Sequence, residues 1–334
     1  MDNYTFKGMK VVFLENEKLR IGILIDKGTD IFEFLYKPKD LDITWLSSNG
    51  VQNPNRYLSS SPDPLSTFSD YYPGGWQEIF PNGGPPSSSL GAQFGQHGEI
   101  TNMPWDYTIV NDDVNEISVE FSVKTKKTPF FVTKRMSLRS NDSTVYVEEK
   151  IVNQSEVEIP IMWGQHFVFG HPFIDGDCFI TMEAGSKVIP HPVPINAHGR
   201  RVNGKQVYQW PEAKDENGNK VDLRTFPKKG SPSEMLYLTD YNDAKYAITN
   251  PNKKVKLVVA WDKAIYPYLW VWQEFGATDA YPWYGRHYNI GLEPFSSMPT
   301  DGLEEAVKNK TALYFSPLET KGTKYSIQVN SYKE

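Results

Sequence analysis

A chain of 334 residues with 35 Lys and Arg against 41 Asp and Glu carries a formal charge of −6 and suits one large β domain or two ordinary ones. That balance leaves no basic footprint for nucleic acid or anionic lipid, and 39% apolar residues exclude wholesale disorder. No apolar run approaches the ~20 residues of a membrane helix, and the single Cys178 excludes an intrachain disulfide or a multi-cysteine metal site.

In chain order, Met1-Asp2-Asn3-Tyr4 lacks a basic and apolar leader, so the expected location is the cytoplasm. Val11 to Leu14 and Ile21 to Ile25 are short apolar runs and predict a pair of strands. The segment from Pro54 to Pro86 is rich in Pro, Gly and Ser but carries Phe68, Tyr71, Tyr72, Trp76 and Phe80. Such composition predicts an ordered functional loop, with a turn or two of helix within Asp63 to Tyr72. Ile117, Val119, Phe121 and Val123 alternate with polar residues, and Val255, Leu257, Val259 and Trp261 recur at the same spacing. Tyr325, Ile327 and Val329 repeat the pattern near the end, and period two is the mark of a half-buried strand. Asn49-Gly50, Asn82-Gly83, Asp175-Gly176, Asn203-Gly204, Asn217-Gly218 and Asp301-Gly302 are turn signals. Leu303 to Lys308 is the other helix candidate. The expected fold is all-β: one large antiparallel sandwich over residues 1–334, with long loops.

Three segments carry residues suited to proton transfer. Gly95-Gln96-His97-Gly98-Glu99 sets a histidine among glycines, which let backbone approach a ligand. Trp163-Gly164-Gln165-His166-Phe167 sets a second among bulky apolar neighbours, where desolvation tunes proton affinity. Gly291-Leu292-Glu293-Pro294 sets an acid where a proline is expected to end a strand at a loop mouth. Trp76, Trp163 and Trp283 are candidates for stacking on a sugar ring, and Tyr268, Trp270 and Trp272 share one strand face. His287 is expected to be structural, His171 to pack at a turn, His191 and His198 to be exposed, and Cys178 to be a small buried hydrophobe.

In order and separation these three segments resemble the aldose 1-epimerase family, the galactose mutarotase-like proteins. Asn153-Gln154-Ser155 followed by Pro160 and His166, and the opening strands that end at Gly28-Thr29-Asp30-Ile31, are similar to that family as well. The likeness runs from about Tyr4 to Val329. It implies a twisted β-sandwich (a supersandwich) with an open sugar cleft and no cofactor or metal. By the same resemblance Glu293 is the general base, His166 the general acid and His97 a hydrogen-bonding partner of the substrate. The family also has an arginine ahead of the first histidine and an aspartate between acid and base. Here Arg56 is the candidate for the first and Glu234 for the second, with Asp240 and Asp262 behind it. Gln96 and Arg286 are further candidate sugar contacts. The run from Tyr72 to Gly84 is similar to a segment of the hexose-6-phosphate branch, which binds phosphate through arginines. Arg135, Arg139 and the Arg200-Arg201 pair are then added candidates, and the sugar is free or modified.

The residue types fit anomer exchange: a base takes the anomeric proton, an acid protonates the ring oxygen, the ring opens, and reclosure gives the other anomer. The expected partner is a small sugar, with no nucleic acid or membrane, and the chain a monomer or homodimer. Alternatives are a non-catalytic sugar sensor, a glycosidase using Glu78 or Glu99 beside Glu293, and a metal-dependent isomerase with His97, His166 and Glu293 as ligands.

Overall fold

The computed structural model describes residues 4–56 and 66–332. Asp63 to Leu65, the start of the first helix candidate, lie outside the described residues; Ser66–Ser69 is a single helical turn. The second candidate forms over Leu303–Lys308, with Glu304 and Glu305 in its first turn and Lys308 in its last, each favourable to the helix dipole. None of the described helices is long and apolar enough to cross a membrane.

Every pairing between named strands is antiparallel, and two large sheets dominate. The eight-stranded sheet runs from Phe179–Met182 through Lys245–Asn250, Val255–Trp261, Thr320–Ser331, Thr144–Asn153, Phe130–Arg139 and Glu116–Lys124 to Asp106–Asp112. The alternating runs seen in the sequence lie in these strands, and Phe130–Arg139 alternates buried and half-buried positions along its length. Val11 to Leu14 and Ile21 to Leu24 pair as adjacent strands of the larger, fourteen-stranded sheet. At the centre of that sheet lie, side by side, Trp76–Ile79, Gly164–Gly170, Asn289–Phe295, Tyr268–Glu274 and Glu234–Thr239.

These central strands are buried on both faces. One face meets the other sheet: Phe167, Phe169, Leu269, Val271, Ile290 and Leu292 join Val145, Val147, Leu257, Val259, Ile327 and Val329 in one apolar core. The opposite face carries a second cluster, with Val168, Met235, Tyr237, Trp270 and Phe295 under Trp45, Phe68 and Tyr72 from the loops. Successive side chains point to opposite faces, so each central strand contributes to the core and to this second face alternately.

Pro294 does not end its strand, contrary to the expectation from sequence. It has no N–H to donate, yet it keeps register opposite Leu269, and the strand continues to Phe295. Glu293 therefore stands in the middle of a sheet and not at a loop mouth.

Candidate active site

The register of the central strands brings the site together. Gly164 faces Phe295 and Val168 faces Gly291, so the residues midway between them, His166 and Glu293, face each other. On one side His166 pairs with Gln77; on the other Glu293 pairs with Trp270, and Trp270 with Tyr237. The result is one row of side chains across five strands. His166 Nε2 lies 3.8 Å from Glu293 Oε1, both almost wholly enclosed. Gln77 Nε2 donates to Asp30 Oδ2 (3.2 Å), and Asp30 forms a buried ion pair with Lys27.

Two glycines make room for this pair. A side chain at Gly291, two residues before Glu293 on the same face, would run into the Glu293 carboxylate. One at Gly164 would run into the Phe295 ring.

His97 arrives from the loop side. It stands at φ +59°, beside Gly98 at φ +84°, where a Cβ on Gly98 would strike the Phe80 carbonyl. The turn is held by Gly98 N–H donating to Gly95 O (3.1 Å) and by His97 N–H donating to Gly84 O (3.0 Å). Gly84 N–H in turn donates to His97 Nδ1 at 3.2 Å. With Nδ1 accepting, the proton of the neutral ring is on Nε2. Burial pushes the His97 imidazole down to about 3, so the ring is neutral near pH 7, with its one N–H at Nε2.

The three groups line one cleft of about 430 Å³. Its walls are aromatic: Phe68, Tyr72, Trp270, Trp272, Tyr281 and Trp283 all contribute. His166 is ringed by edges, with centroids at 5.3 Å to Tyr72, 5.3 Å to His97 and 5.9 Å to Trp272. This apolar enclosure acts oppositely on His166 and Glu293. It holds the His166 imidazole well below its usual value, with the neighbouring His97 adding to the effect, and it lifts the Glu293 carboxyl well above the usual carboxylate range.

Of the other candidates, Gln96 lines the cleft and accepts a hydrogen bond from Ser69 Oγ (2.7 Å), and Trp283 lines it as well. Several do not reach it. Trp76 turns to the inter-sheet side against Phe34, Phe167 and Phe169, and its Nε1 donates to Val168 O. Trp163 is fully buried, donating to Glu78 Oε1 at 2.7 Å. Arg56 is exposed beside Gly8, and Arg286 is exposed and donates to Asn49 Oδ1.

Glu234 stands one position off the cleft face, since Met235 and Tyr237 take that face, and it pairs instead with buried Arg200 at 3.1 Å. The further carboxylate in the cleft wall is Glu274, at the end of the strand that carries Trp270 and Trp272. Its oxygens accept from Gly276 N, Thr278 N, Ser233 Oγ and Thr278 Oγ, which fills the acceptor sites of a carboxylate. Glu274 therefore anchors the rim that leads to Tyr281 and Trp283.

The carboxylates suggested as glycosidase partners lie elsewhere. Glu78 is on the inter-sheet side with Trp163 and Lys134, and Glu99 binds the Lys126–Thr128 turn. His97, His166 and Glu293 do not form a ligand set, and no group of three or more metal-ligating side chains occurs among the described residues. His191 is buried and bonds Tyr237 Oη at 2.8 Å, where the sequence suggested exposure; the contact links residues 46 positions apart, which composition cannot show. His198 is exposed and pairs with Asp279.

Known proteins place the fold. A galactose mutarotase-like protein from Clostridium acetobutylicum superposes with TM-score 0.64 at 17% identity, over 97% of this chain and 96% of that one. A candidate aldose 1-epimerase from Klebsiella pneumoniae gives TM-score 0.74 at 15% identity, over 99% and 82%. The Slr1438 protein of Synechocystis gives 0.63 at 16% identity, over 99% and 100%. No curated protein matches the sequence. The fold is thus the galactose mutarotase-like sandwich expected from the sequence, and through residues 6–329 the chain belongs to the family described as domain of unknown function DUF4432.

Proposed function

We propose that this protein is an aldose 1-epimerase that interconverts the anomers of an uncharged free aldose. The observation that carries the reading is the facing pair His166 and Glu293, 3.8 Å apart on the floor of an aromatic cleft, with the His97 ring beside it. In this reading Glu293 takes the proton of the anomeric hydroxyl O1, and His166 gives a proton to the ring oxygen O5. The C1–O5 bond breaks and a C1=O1 carbonyl forms. Rotation about C1–C2 and the reverse transfers close the ring on the other face. Nothing is consumed, so no co-reactant is needed.

Proton inventory supports this. Burial favours neutral His166 and the protonated Glu293 carboxyl, a pair that holds one proton. The working pair, imidazolium and carboxylate, holds one proton too. The two forms differ by a transfer across the pair, which the hydroxyls of a bound sugar can relay. His97 contributes an Nε2–H donor of fixed tautomer.

The uncharged substrate follows from the walls. Among the described residues no Lys or Arg lines the cleft, while Glu274 and Glu293 do. The nine residues from Tyr57 to Leu65 include no Lys, Arg or His. A phosphate or carboxylate on the sugar would find no counter-charge there, and aromatic walls suit the apolar faces of a pyranose.

The test is anomer exchange by NMR on a panel of free aldoses and their 6-phosphates, with wild type beside Glu293→Gln. Accelerated exchange for a free aldose, lost in the variant, is expected. Binding of a sugar by the wild type with no acceleration would replace the enzyme by a sugar sensor, and preference for a 6-phosphate would overturn the substrate class.

A further inference from the structure

Tyr72 has an environment no other buried tyrosine shares. Among the described residues, the buried Tyr36, Tyr237, Tyr241, Tyr246, Tyr266 and Tyr325 each have the hydroxyl hydrogen-bonded to a named partner, and Tyr72 Oη is the one tyrosine hydroxyl enclosed without one. Tyr72 is 3% exposed, and its Oη is enclosed with no hydrogen-bond partner. It is also the one of these beside the His166 ring, at 5.3 Å between centroids and 87° between planes. Its own ring is clamped by Phe68 (5.1 Å, stacked), Trp283 (5.8 Å) and Trp45 (6.3 Å), and it lines the cleft.

A buried hydroxyl left without a partner costs about 1–3 kcal/mol. The fold satisfies those six and leaves this one unsatisfied where substrate would lie. We infer that Tyr72 is a substrate-contacting residue whose phenol O–H donates to a sugar oxygen at the reacting end, between His166 and Glu293. Three features support a donor in particular. The phenol stays protonated, because burial and the nearby Glu293 both oppose its ionisation. The ring is fixed by three aromatic neighbours, so the donor is oriented before substrate arrives. The oxygen it would meet gains negative charge as O1 loses its proton, which strengthens the bond in the transition state.

This inference rests on the epimerase reading, and one substitution separates the two. Tyr72→Phe removes the oxygen and keeps every ring contact. Because the oxygen has no partner in the fold, melting temperature is expected to stay the same or rise. Anomer-exchange kcat/KM is expected to fall by about 10- to 100-fold, mostly in kcat. The assay uses D-glucose, D-galactose, D-mannose and D-xylose, with binding followed by the fluorescence of the cleft tryptophans.

An active wild type with an unchanged Tyr72→Phe variant would overturn the role of Tyr72 and leave the epimerase reading standing. A wild type that binds a sugar without exchanging it, and a variant that binds it more weakly, would overturn the epimerase and keep the contact. A wild type that neither binds nor exchanges any of the four would overturn both. A fall in activity matched by a fall in melting temperature would also overturn the inference, since the hydroxyl would then have a structural partner.

Discussion

His166 Nε2 and Glu293 Oε1 stand 3.8 Å apart on neighbouring strands, too far to hydrogen-bond to each other and close enough for one bound hydroxyl to touch both. Their shared burial moves their proton affinities in opposite directions, and this sets the expected pH behaviour. In the proposed reaction the pair works with one proton. A second proton enters only below the His166 value, which lies well under 6.5; the last leaves only above the Glu293 value, which lies well over 4.5. The exchange rate is therefore expected to be bell-shaped, with its acid limb below 6.5 and its alkaline limb above 4.5, read by NMR line exchange across the pH range. Glu293→Gln should lose about 10²- to 10⁴-fold of the rate and the alkaline limb with it. A single ordinary imidazole titration near 6.5 would contradict the one-proton pair.

Gly291 is expected to matter for a steric reason. A methyl group there would meet the Glu293 carboxylate oxygen, and the backbone has no positive φ to defend. Gly291→Ala should fold, with the carboxylate displaced. A misplacement of about 1 Å costs on the order of 10²-fold. Exchange kinetics beside a melting curve check this, and full activity in the variant would contradict it.

His97 links acidity to stability. Its folded value of about 3 lies below the unfolded value of 6.5, so between these the unfolded chain binds the extra proton. Stability is present above 6.5 and is lost as pH falls toward 3. Between about pH 7 and about pH 5 the loss from this one group is about 2 kcal/mol. His97→Gln retains an acceptor for Gly84 N–H and does not titrate. Urea unfolding at the two pH values should show the wild type losing about that much more than the variant.

Glu234 is expected to behave as a structural residue. Glu234→Gln leaves the Arg200 guanidinium buried without its carboxylate, at a cost of about 3–5 kcal/mol. Sugar affinity of the folded fraction should be unchanged, measured by tryptophan fluorescence below the unfolding transition. A selective loss of affinity with full stability would return Glu234 to the cleft.

The fold was legible because its strands advertise themselves. Phe121 and Val123, or Ile327 and Val329, alternate with polar residues on a half-exposed sheet, and that signal is local. The central strands gave a weaker signal. Gly164–Gly170 is buried at every position, so nothing in the sequence said which face held a cleft. That is why Trp163 and Trp76 looked like sugar-stacking residues when their rings lie on the core side. Glu274 was within reach: the parity of Trp270 and Trp272, carried two residues further, points to it. Tyr72 was not, since an enclosed hydroxyl without a partner is visible only in the packed structure.

On the central strands, cleft and core occupy alternate residues: Phe167 beside His166, Leu292 beside Glu293, Val271 beside Trp272. Lineages can thus exchange one set of letters while keeping the other, and the lining of the cleft can drift without refolding the domain. The same arrangement makes a single inserted or deleted residue far worse than a substitution. A shift of one would turn Glu293 into the hydrocarbon interior and bring Leu292 to the cleft. Length changes in this family should therefore gather in the connections, such as the stretch between Pro190 and Glu234, and spare the five strands beneath the cleft.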